Sequence, residues 1–112
     1  IKSSAASDVY KRQLVENAIK YNHSGGQVTV TAYRKEKHVY LSVEDTGNGI
    51  PEELRERVFE PFFRVDKSRS RELGGVGLGL ALVREIVRVH DGSIAVRSNP
   101  SGGTVFDVML PL

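Results

Sequence analysis

The chain has 112 residues, 39% of them hydrophobic, and a net charge of +2, which suits one domain with a modest core. It has no cysteine, so disulfides, cysteine-based metal sites and thiol catalysis are excluded and a reducing compartment is favoured, and no apolar run approaches the roughly 20 residues of a membrane helix. Residues 1–13 carry three bases and one acid, so the rest of the chain is neutral and shows no general attraction to nucleic acid or membranes.

The segment Ile1–Gln13 (IKSSAASDVYKRQ) is rich in Ser and Ala and has no sustained apolar period. It resembles translated sequencing-adapter read-through, and a natural linker would also fit this composition. We therefore expect residues 1–13 to be a leader outside the domain and residues 14–112 to be the domain itself.

The first half of the domain predicts a helix and a hairpin. Residues 14–22 have helical apolar spacing and are followed by glycines, which commonly end a helix. Residues 27–34 and 39–44 alternate between apolar and polar side chains around a charged turn, which is typical of a hairpin. The side chains expected to share apolar faces are Leu14, Ala18 and Tyr21 in the helix and Val28, Val30 and Ala32 in the first strand.

The second half begins with a charged stretch that we expect to be a mobile lid. The predicted elements are, in order, a glycine-rich turn at 45–51, a short helix at 52–59, the lid at 60–75, a long helix at 78–90, and strands at 93–98 and 104–110. The apolar stripe of the long helix is expected at Leu78, Leu82, Val83, Ile86 and Val89. This order predicts a two-layer α/β sandwich (α+β), with helices on one face of a largely antiparallel sheet.

Two glycine-rich motifs point to a nucleotide. Asp45-Thr46-Gly47-Asn48-Gly49 follows a strand, where a carboxylate can accept a hydrogen bond from the exocyclic amine that adenine has and guanine lacks. An ordinary turn has the same pattern. The run from Gly74 to Leu80 leads into the long helix, and free backbone N–H groups at a helix N-terminus attract phosphate. It lacks the Gly-Lys-Ser/Thr of a Walker loop, and a plain hinge would also explain it.

A third candidate site lies on the first helix. Asn17 and Lys20 are three residues apart and share a side, where an amide oxygen can complete a Mg²⁺ shell and an ammonium can meet phosphate. By itself, an Asn in a helix is more often a surface residue.

Together these motifs carry a family resemblance. Glu16-Asn17-Ala18, Asp45-x-Gly-x-Gly and Gly75-x-Gly-Leu-Gly-Leu resemble the nucleotide site of the superfamily that contains gyrase, heat-shock chaperones, mismatch-repair ATPases and histidine kinases. Phe59-Glu60-Pro61-Phe62-Phe63-Arg64 resembles the phenylalanine motif of the histidine kinases, and Gly102-Gly103-Thr104-x-Phe106 matches the last glycine motif. The resemblance covers residues 14–112 and implies a Bergerat-type ATP-binding fold and the catalytic domain of a sensor histidine kinase.

The resemblance also implies roles for individual residues. Asn17 would bind Mg²⁺, Asp45 would read the adenine amine, and Arg64 would reach the γ-phosphate of ATP when the lid closes. Glu16 could take or orient the proton of the acceptor imidazole, although a structural role on the helix surface is an equal alternative. The remaining nucleotide contacts would be Lys20 and Tyr21 beside phosphates and ribose, Gly47, Gly49 and Ile50 around adenine, Gly75, Gly77, Leu78 and Gly79 around the phosphates, and Thr104 on the adenine side.

The chain departs from the family pattern near its start. The residue one helical turn before Asn17, usually a second Asn, is Gln13, and the strand and helix that usually precede it are missing, which bears on metal geometry and stability. None of His23, His38 and His90 has the Glu and Arg-Thr-Pro context of the family's phosphoacceptor, so structural roles are expected for all three. The implied partners are ATP, a histidine-bearing dimerisation domain and a response regulator, in a homodimeric, membrane-anchored protein whose domain is cytoplasmic.

Two other functions stay open from the sequence. A gyrase-class ATPase would place a glutamate general base one helical turn before the metal-binding Asn, and Gln13 cannot do that work. A non-catalytic nucleotide-binding module is the other alternative. Asp45, Asn17 and the glycine run argue against lost binding, but they do not establish turnover.

Overall fold

The computed structural model of the chain describes residues 4–20, 22–63 and 79–111. Its helices and strands are α1 (Ser4–Lys20), β1 (Val28–Lys35), β2 (His38–Asp45), α2 (Gly79–Val89), β3 (Ser93–Ser98) and β4 (Thr104–Pro111). Two short 3-10 turns, Glu52–Leu54 and Arg57–Phe59, lie between β2 and α2.

The four strands form one antiparallel sheet in the order β1-β2-β4-β3. Val43 in β2 pairs with Val30 on one side and with Phe106 on the other, so apolar side chains from three strands line up on one face. The predicted two-layer fold is therefore confirmed, with every described strand pair antiparallel and both helices packed against that face.

The core lies between the sheet and the two helices. Leu14 and Ala18 of α1 are 0% and 2% exposed, as their spacing predicts. The stripe predicted for α2 is wrong in part, since Leu82 and Val89 are 44% and 61% exposed. The buried side chains of α2 are those of Val83 and Val87, with Leu80 and Ile86 partly buried. Apolar residues cover most of the circumference of α2 (GLALVREIVRV). Periodicity alone therefore does not decide which of two neighbouring positions faces the core.

Two predicted helices have different bounds. The first begins at Ser4 rather than Leu14, because alanine and long charged side chains have good helix propensity and continue a helix that is already anchored by packing. The segment at 52–59 is not one helix but two 3-10 turns. Its adjacent residues Val58 and Phe59 are both buried, and the ring of Phe59 packs edge-on against Phe106 at 6.2 Å.

The outer strand β1 is less buried than its alternating pattern suggests. Val28, Val30 and Ala32 share one side, as predicted, but Val30 is 50% exposed. β1 lies at the edge of the described sheet, and the helices cover mainly its central strands. The three remaining strand predictions agree with the structure to within one residue at each end.

Candidate nucleotide site

Asp45, the last residue of β2, carries a buried carboxylate at the opening of the candidate site. The residue is 7% exposed. Its Oδ1 accepts hydrogen bonds from Gly47 N at 2.9 Å and from Thr104 N at 3.2 Å. Within the described parts of the chain, Oδ2 accepts no hydrogen bond. Two backbone donors therefore fix one carboxylate oxygen and leave the other available to a ligand.

The loop after Asp45 depends on glycine at position 49. Gly49 has a φ of +77°, which is strained for any residue with a side chain. A Cβ at this position would lie 3.4 Å from the carbonyl oxygen of Gly103. Ile50 follows and packs against the core. The predicted adenine-side residues Gly47, Gly49 and Ile50 thus belong to a loop held between the core and the β3–β4 turn.

The β3–β4 turn forms the other wall beside Asp45. Gly103 has a φ of +98°, and a Cβ there would lie 2.1 Å from the carbonyl oxygen of Asp45. Thr104 is 4% exposed, and its contact with Asp45 runs through its backbone N–H. Asn99 Nδ2 donates a 2.9 Å hydrogen bond to the same Asp45 carbonyl. Sequence reasoning missed Asn99, because a turn residue gives no sign of a contact with a residue 54 positions away.

The opposite side of the loop is tied to the segment that follows α1. Thr46 Oγ1 accepts a 2.8 Å hydrogen bond from Gln27 N, and Asn22 Nδ2 donates to Gln27 O at 2.9 Å. Thr46 N also donates to Gln27 O at 3.2 Å. The loop that carries Asp45 is therefore fixed relative to the end of the helix that carries Asn17.

The predicted residues on α1 lie on its solvent-accessible sides. Asn17 and Lys20 are partly buried, and Glu16 is exposed. One turn before Asn17, Gln13 Oε1 lies 2.6 Å from where a Cβ on Gly79 would be. Because Gln13, Asn17 and Lys20 share a side of the helix, this side meets the first residue of α2. Of these residues Gln13 is the one placed against the start of α2, with Asn17 about one turn and Lys20 about two turns further along α1.

Several predicted site residues fall outside the described part of the chain. They are Tyr21, Arg64, Gly75, Gly77 and Leu78. The predicted lid at 60–75 is described only as far as Phe63, so its mobility stays a prediction. Gly79 is described and begins α2, where unpaired backbone N–H groups can bind an anion.

The charges with shifted pKa values lie away from this site. Hydrogen bonding to Arg88 lowers the pKa of Glu85 on the exposed side of α2, and Glu85 in turn raises the pKa of Arg88. On the sheet face opposite the helices, Asp107 accepts a 2.7 Å hydrogen bond from Arg97 Nε and so raises the pKa of Arg97. Both pairs are exposed ion pairs that lie on the surface rather than around Asp45.

In the parts of the chain that the structure describes, no group of three or more His, Asp or Glu side chains could hold a metal ion. A metal at Asn17 would take further ligands from phosphate and water. Mg²⁺ is commonly bound in this way, through one or two protein oxygens plus substrate phosphates and waters. The partly exposed amide of Asn17, about one turn along α1 from the Gln13 that meets the start of α2, fits such a site.

The three histidines sit in local structural contacts. His90 Nδ1 donates to Ile86 O at 2.8 Å and closes α2. His23 Nδ1 lies 3.2 Å from Ser24 O in the turn after α1, and the ring of His38 lies 6.3 Å from that of Tyr40. These contacts agree with the structural roles expected from the sequence.

Comparison with known proteins gives consistent matches. The family model of the histidine kinase-, DNA gyrase B- and HSP90-like ATPases matches residues 12–112. The sensor-like histidine kinase SenX3 of Mycobacterium tuberculosis (strain ATCC 25618 / H37Rv) is 48% identical over 98 residues, covering 88% of this chain and 24% of SenX3. The structure of the mycobacterial sensor histidine kinase MprB matches with a TM-score of 0.88 at 35% identity, covering 99% of this chain and 75% of that chain. The structure of histidine kinase ThkA in complex with the response regulator protein TrrA matches with a TM-score of 0.73 at 32% identity, covering 91% of this chain and 27% of that chain.

The fold and the family match define the class of protein: the chain belongs to the family of histidine kinase-, DNA gyrase B- and HSP90-like ATPases. Within that family it is a domain of the sensor histidine kinase type. The chain spans about a quarter of the length of curated relatives such as SenX3. None of the helices in the described ranges is long and apolar enough to cross a membrane.

Proposed function

We propose that the chain binds Mg·ATP and transfers the γ-phosphoryl group to a histidine on a separate helical domain, as the catalytic domain of a two-component sensor histidine kinase. The observation that carries this proposal is the carboxylate of Asp45, whose Oδ1 is fixed by two backbone donors while Oδ2 is left to accept. Such an acceptor selects adenine, because the exocyclic group of adenine donates a hydrogen bond and the corresponding oxygen of guanine does not.

The phosphate end of the site would lie where α1 meets the start of α2. Gly79 begins α2, and the N-terminus of a helix favours negative charge. Asn17 would hold Mg²⁺, which supplies charge neutralisation between the phosphates. Lys20 lies one turn along from Asn17 and would approach the phosphates from the same side. The described geometry supports this placement by bringing the Gln13 side of α1 against Gly79.

The chemistry would be an in-line displacement at phosphorus. A neutral imidazole nitrogen of the acceptor forms the N–P bond, and the bond to the β,γ-bridging oxygen breaks with its electron pair leaving on ADP. The imidazole proton passes to Glu16 or to solvent. Catalysis of this kind rests mainly on positioning and charge stabilisation. Arg64 would add positive charge at the γ-phosphate, and this assignment lies outside the described residues.

A residue on α1 favours a kinase over an ATPase of the gyrase class. Gln13 occupies the position one turn before Asn17, and its amide lies against the first residue of α2. An amide cannot accept a proton from an attacking water, so the hydrolytic general base of the gyrase class has no counterpart here. A non-catalytic nucleotide-binding module stays as the second candidate, and turnover separates the two.

The partners follow from the proposed reaction. The phosphoacceptor would be a histidine-bearing dimerisation domain, and the phosphoryl group would pass on to a response regulator. The similar histidine kinase ThkA forms a complex with the response regulator protein TrrA, which supports this second step. The whole protein would be a homodimeric, membrane-anchored sensor with this domain in the cytoplasm.

The binding half of the proposal is tested by Asp45→Asn, which keeps the shape of the side chain and replaces the accepting carboxylate by an amide. Loss of a charged hydrogen-bond partner costs about 1.5–3 kcal/mol, or roughly tenfold to a hundredfold in affinity for a non-hydrolysable ATP analogue. Asp107→Asn is the matched control, because Asp107 lies in the same sheet on the opposite face. Equal affinities for the analogue in wild type and Asp45→Asn, measured by calorimetric titration, would rule out the adenine assignment.

The transfer half is tested with γ-labelled ATP, using the chain alone and then with a separately supplied acceptor hairpin. No acid-labile label is expected on the chain alone, because its histidines sit at the ends of elements in local contacts. Slow transfer to the hairpin is expected, because supplying it separately loses the effective concentration of a tether, which is at the millimolar level. Label on the chain that disappears in His90→Ala would contradict the structural role of His90. ATP binding without any transfer to cognate hairpins would favour the non-catalytic module.

A further inference from the structure

Asn99 lies in the turn between β3 and β4, and its side chain reaches back to the residue that carries the adenine-reading carboxylate. Its Nδ2 donates a 2.9 Å hydrogen bond to the backbone carbonyl of Asp45. Its Oδ1 accepts a 3.2 Å hydrogen bond from Ser101 N, and its own backbone N–H donates to Gly103 O at 3.1 Å. The amide group of Asn99 is therefore held in one orientation by contacts within its turn.

The contact occurs where the β2–β4 ladder ends. The last paired residues are Glu44 and Val105, so the ladder does not extend to Asp45. The next N–H along β4, that of Thr104, donates to the Asp45 carboxylate at 3.2 Å. A backbone N–H supplies one donor, and a buried carbonyl needs a partner of its own. Asn99 provides that partner, which leaves the Thr104 N–H to the carboxylate.

The packing around Asp45 gives the carbonyl few other options. The residue is 7% exposed, and the backbone of Gly103 lies so close that a Cβ there would be 2.1 Å from the Asp45 carbonyl oxygen. This carbonyl therefore has little access to water as a substitute donor. Without the amide of Asn99, the nearest donor on β4 is the N–H of Thr104, and the carboxylate would lose one of its two fixing bonds.

We propose that Asn99 is a positioning residue for base recognition: its amide occupies the Asp45 carbonyl, keeps the Thr104 N–H on Asp45 Oδ1 and so aims Oδ2 at the exocyclic amine of adenine. This inference rests on the proposed function of Asp45. Asn99 acts through Asp45 without contacting the nucleotide. Its loss therefore lowers selectivity for the amine rather than affinity for phosphates and ribose.

The test compares two nucleotides in Asn99→Asp. This substitution keeps an oxygen for Ser101 N but replaces the Nδ2 donor by an oxygen that repels the Asp45 carbonyl. Dissociation constants are measured for a non-hydrolysable ATP analogue and for its purine riboside counterpart, which lacks the 6-amino group. In Asn99→Asp, the affinity for the ATP analogue is expected to fall roughly tenfold, whereas the affinity for the purine riboside compound is expected to fall less than about threefold. Ser101→Asp, which adds the same charge in the same turn without removing the donor, should keep the wild-type ratio.

A purely structural role would lower both affinities in parallel, and that result, or an unchanged ratio, overturns the proposal. Thermal melting identifies any variant that does not fold, and Asn99→Ala, which removes the donor without adding charge, then replaces Asn99→Asp in the same comparison. The Asp45→Asn variant separates the two proposals. If Asp45→Asn abolishes the discrimination between the two nucleotides and the Asn99 variants keep that discrimination, only the positioning role of Asn99 fails. Where the wild-type chain itself does not discriminate between the two nucleotides, both proposals fail.

Discussion

The adjacent glycines Gly102 and Gly103 lie in the β3–β4 turn, which approaches Asp45 closely. Alanine substitutions at these two positions separate the energetic cost of a steric clash with Asp45 from the cost of backbone strain. Gly102 and Gly103 have φ values of +97° and +98°, so alanine at either position meets similar backbone strain. At Gly102, a Cβ would meet no atom within 4 Å. At Gly103, it would lie 2.1 Å from the Asp45 carbonyl oxygen, a backbone atom that cannot turn aside as a flexible side chain could.

We expect Gly102→Ala to lower the free energy of unfolding by about 1–2 kcal/mol, the cost of a left-handed backbone for a residue with a Cβ. Gly103→Ala carries the same cost and must also push the turn away from Asp45. That movement breaks the hydrogen bonds from Thr104 N and Asn99 Nδ2, each worth about 0.5–1.5 kcal/mol, or more where the carboxylate is involved. The expected loss is therefore about 3–5 kcal/mol.

The assay is urea denaturation of both variants, followed by titration with an ATP analogue under conditions where each remains folded. Gly103→Ala should bind the analogue at least about tenfold more weakly than Gly102→Ala, because the carboxylate of Asp45 loses its fixed orientation. Equal unfolding free energies for the two variants would refute the close approach. Equal nucleotide affinities would refute the connection between the turn and base recognition.

Two further substitutions test the packing around the site. Leu14→Ala should destabilise the fold by about 2–5 kcal/mol, because the side chain of Leu14 is 0% exposed. Ile19→Ala on the same helix should destabilise it much less, because Ile19 is 62% exposed. Similar urea midpoints for the two variants would contradict the placement of α1. Asp91→Gly should raise stability by about 0.5–1 kcal/mol, because Asp91 lies in the turn after α2 with a φ of +60° that glycine adopts without strain. A lower melting temperature for Asp91→Gly would show that its side chain has a stabilising contact that outweighs the strain.

The sequence by itself determined the order of elements and most of the candidate site. Alternation over two hairpin strands and the glycine punctuation around them predicted the antiparallel sheet, because these signals depend only on neighbours along the chain. The position of Asp45 at a strand end, followed by Gly47 and Gly49, was likewise visible as a local motif. The prediction of a nucleotide site depended on the combination of this motif with Asn17 and with the glycine run before α2, because each motif alone has an ordinary structural explanation.

The tertiary structure decided what local patterns leave open. Periodicity gave α2 an apolar side but not its inward direction, which packing against α1 and the sheet set at Val83 and Val87. The start of α1 at Ser4 could not be predicted from apolar spacing, because residues 4–13 have no sustained apolar period and a helix anchored by packing can extend through residues of good helix propensity. The contact of Asn99 with Asp45 joins residues 54 positions apart and exists only because β4 returns beside β2. A hydrogen bond between side chain and backbone across a sheet leaves no periodic trace in the sequence, so the contact of Asn99 with Asp45 became visible only in the fold.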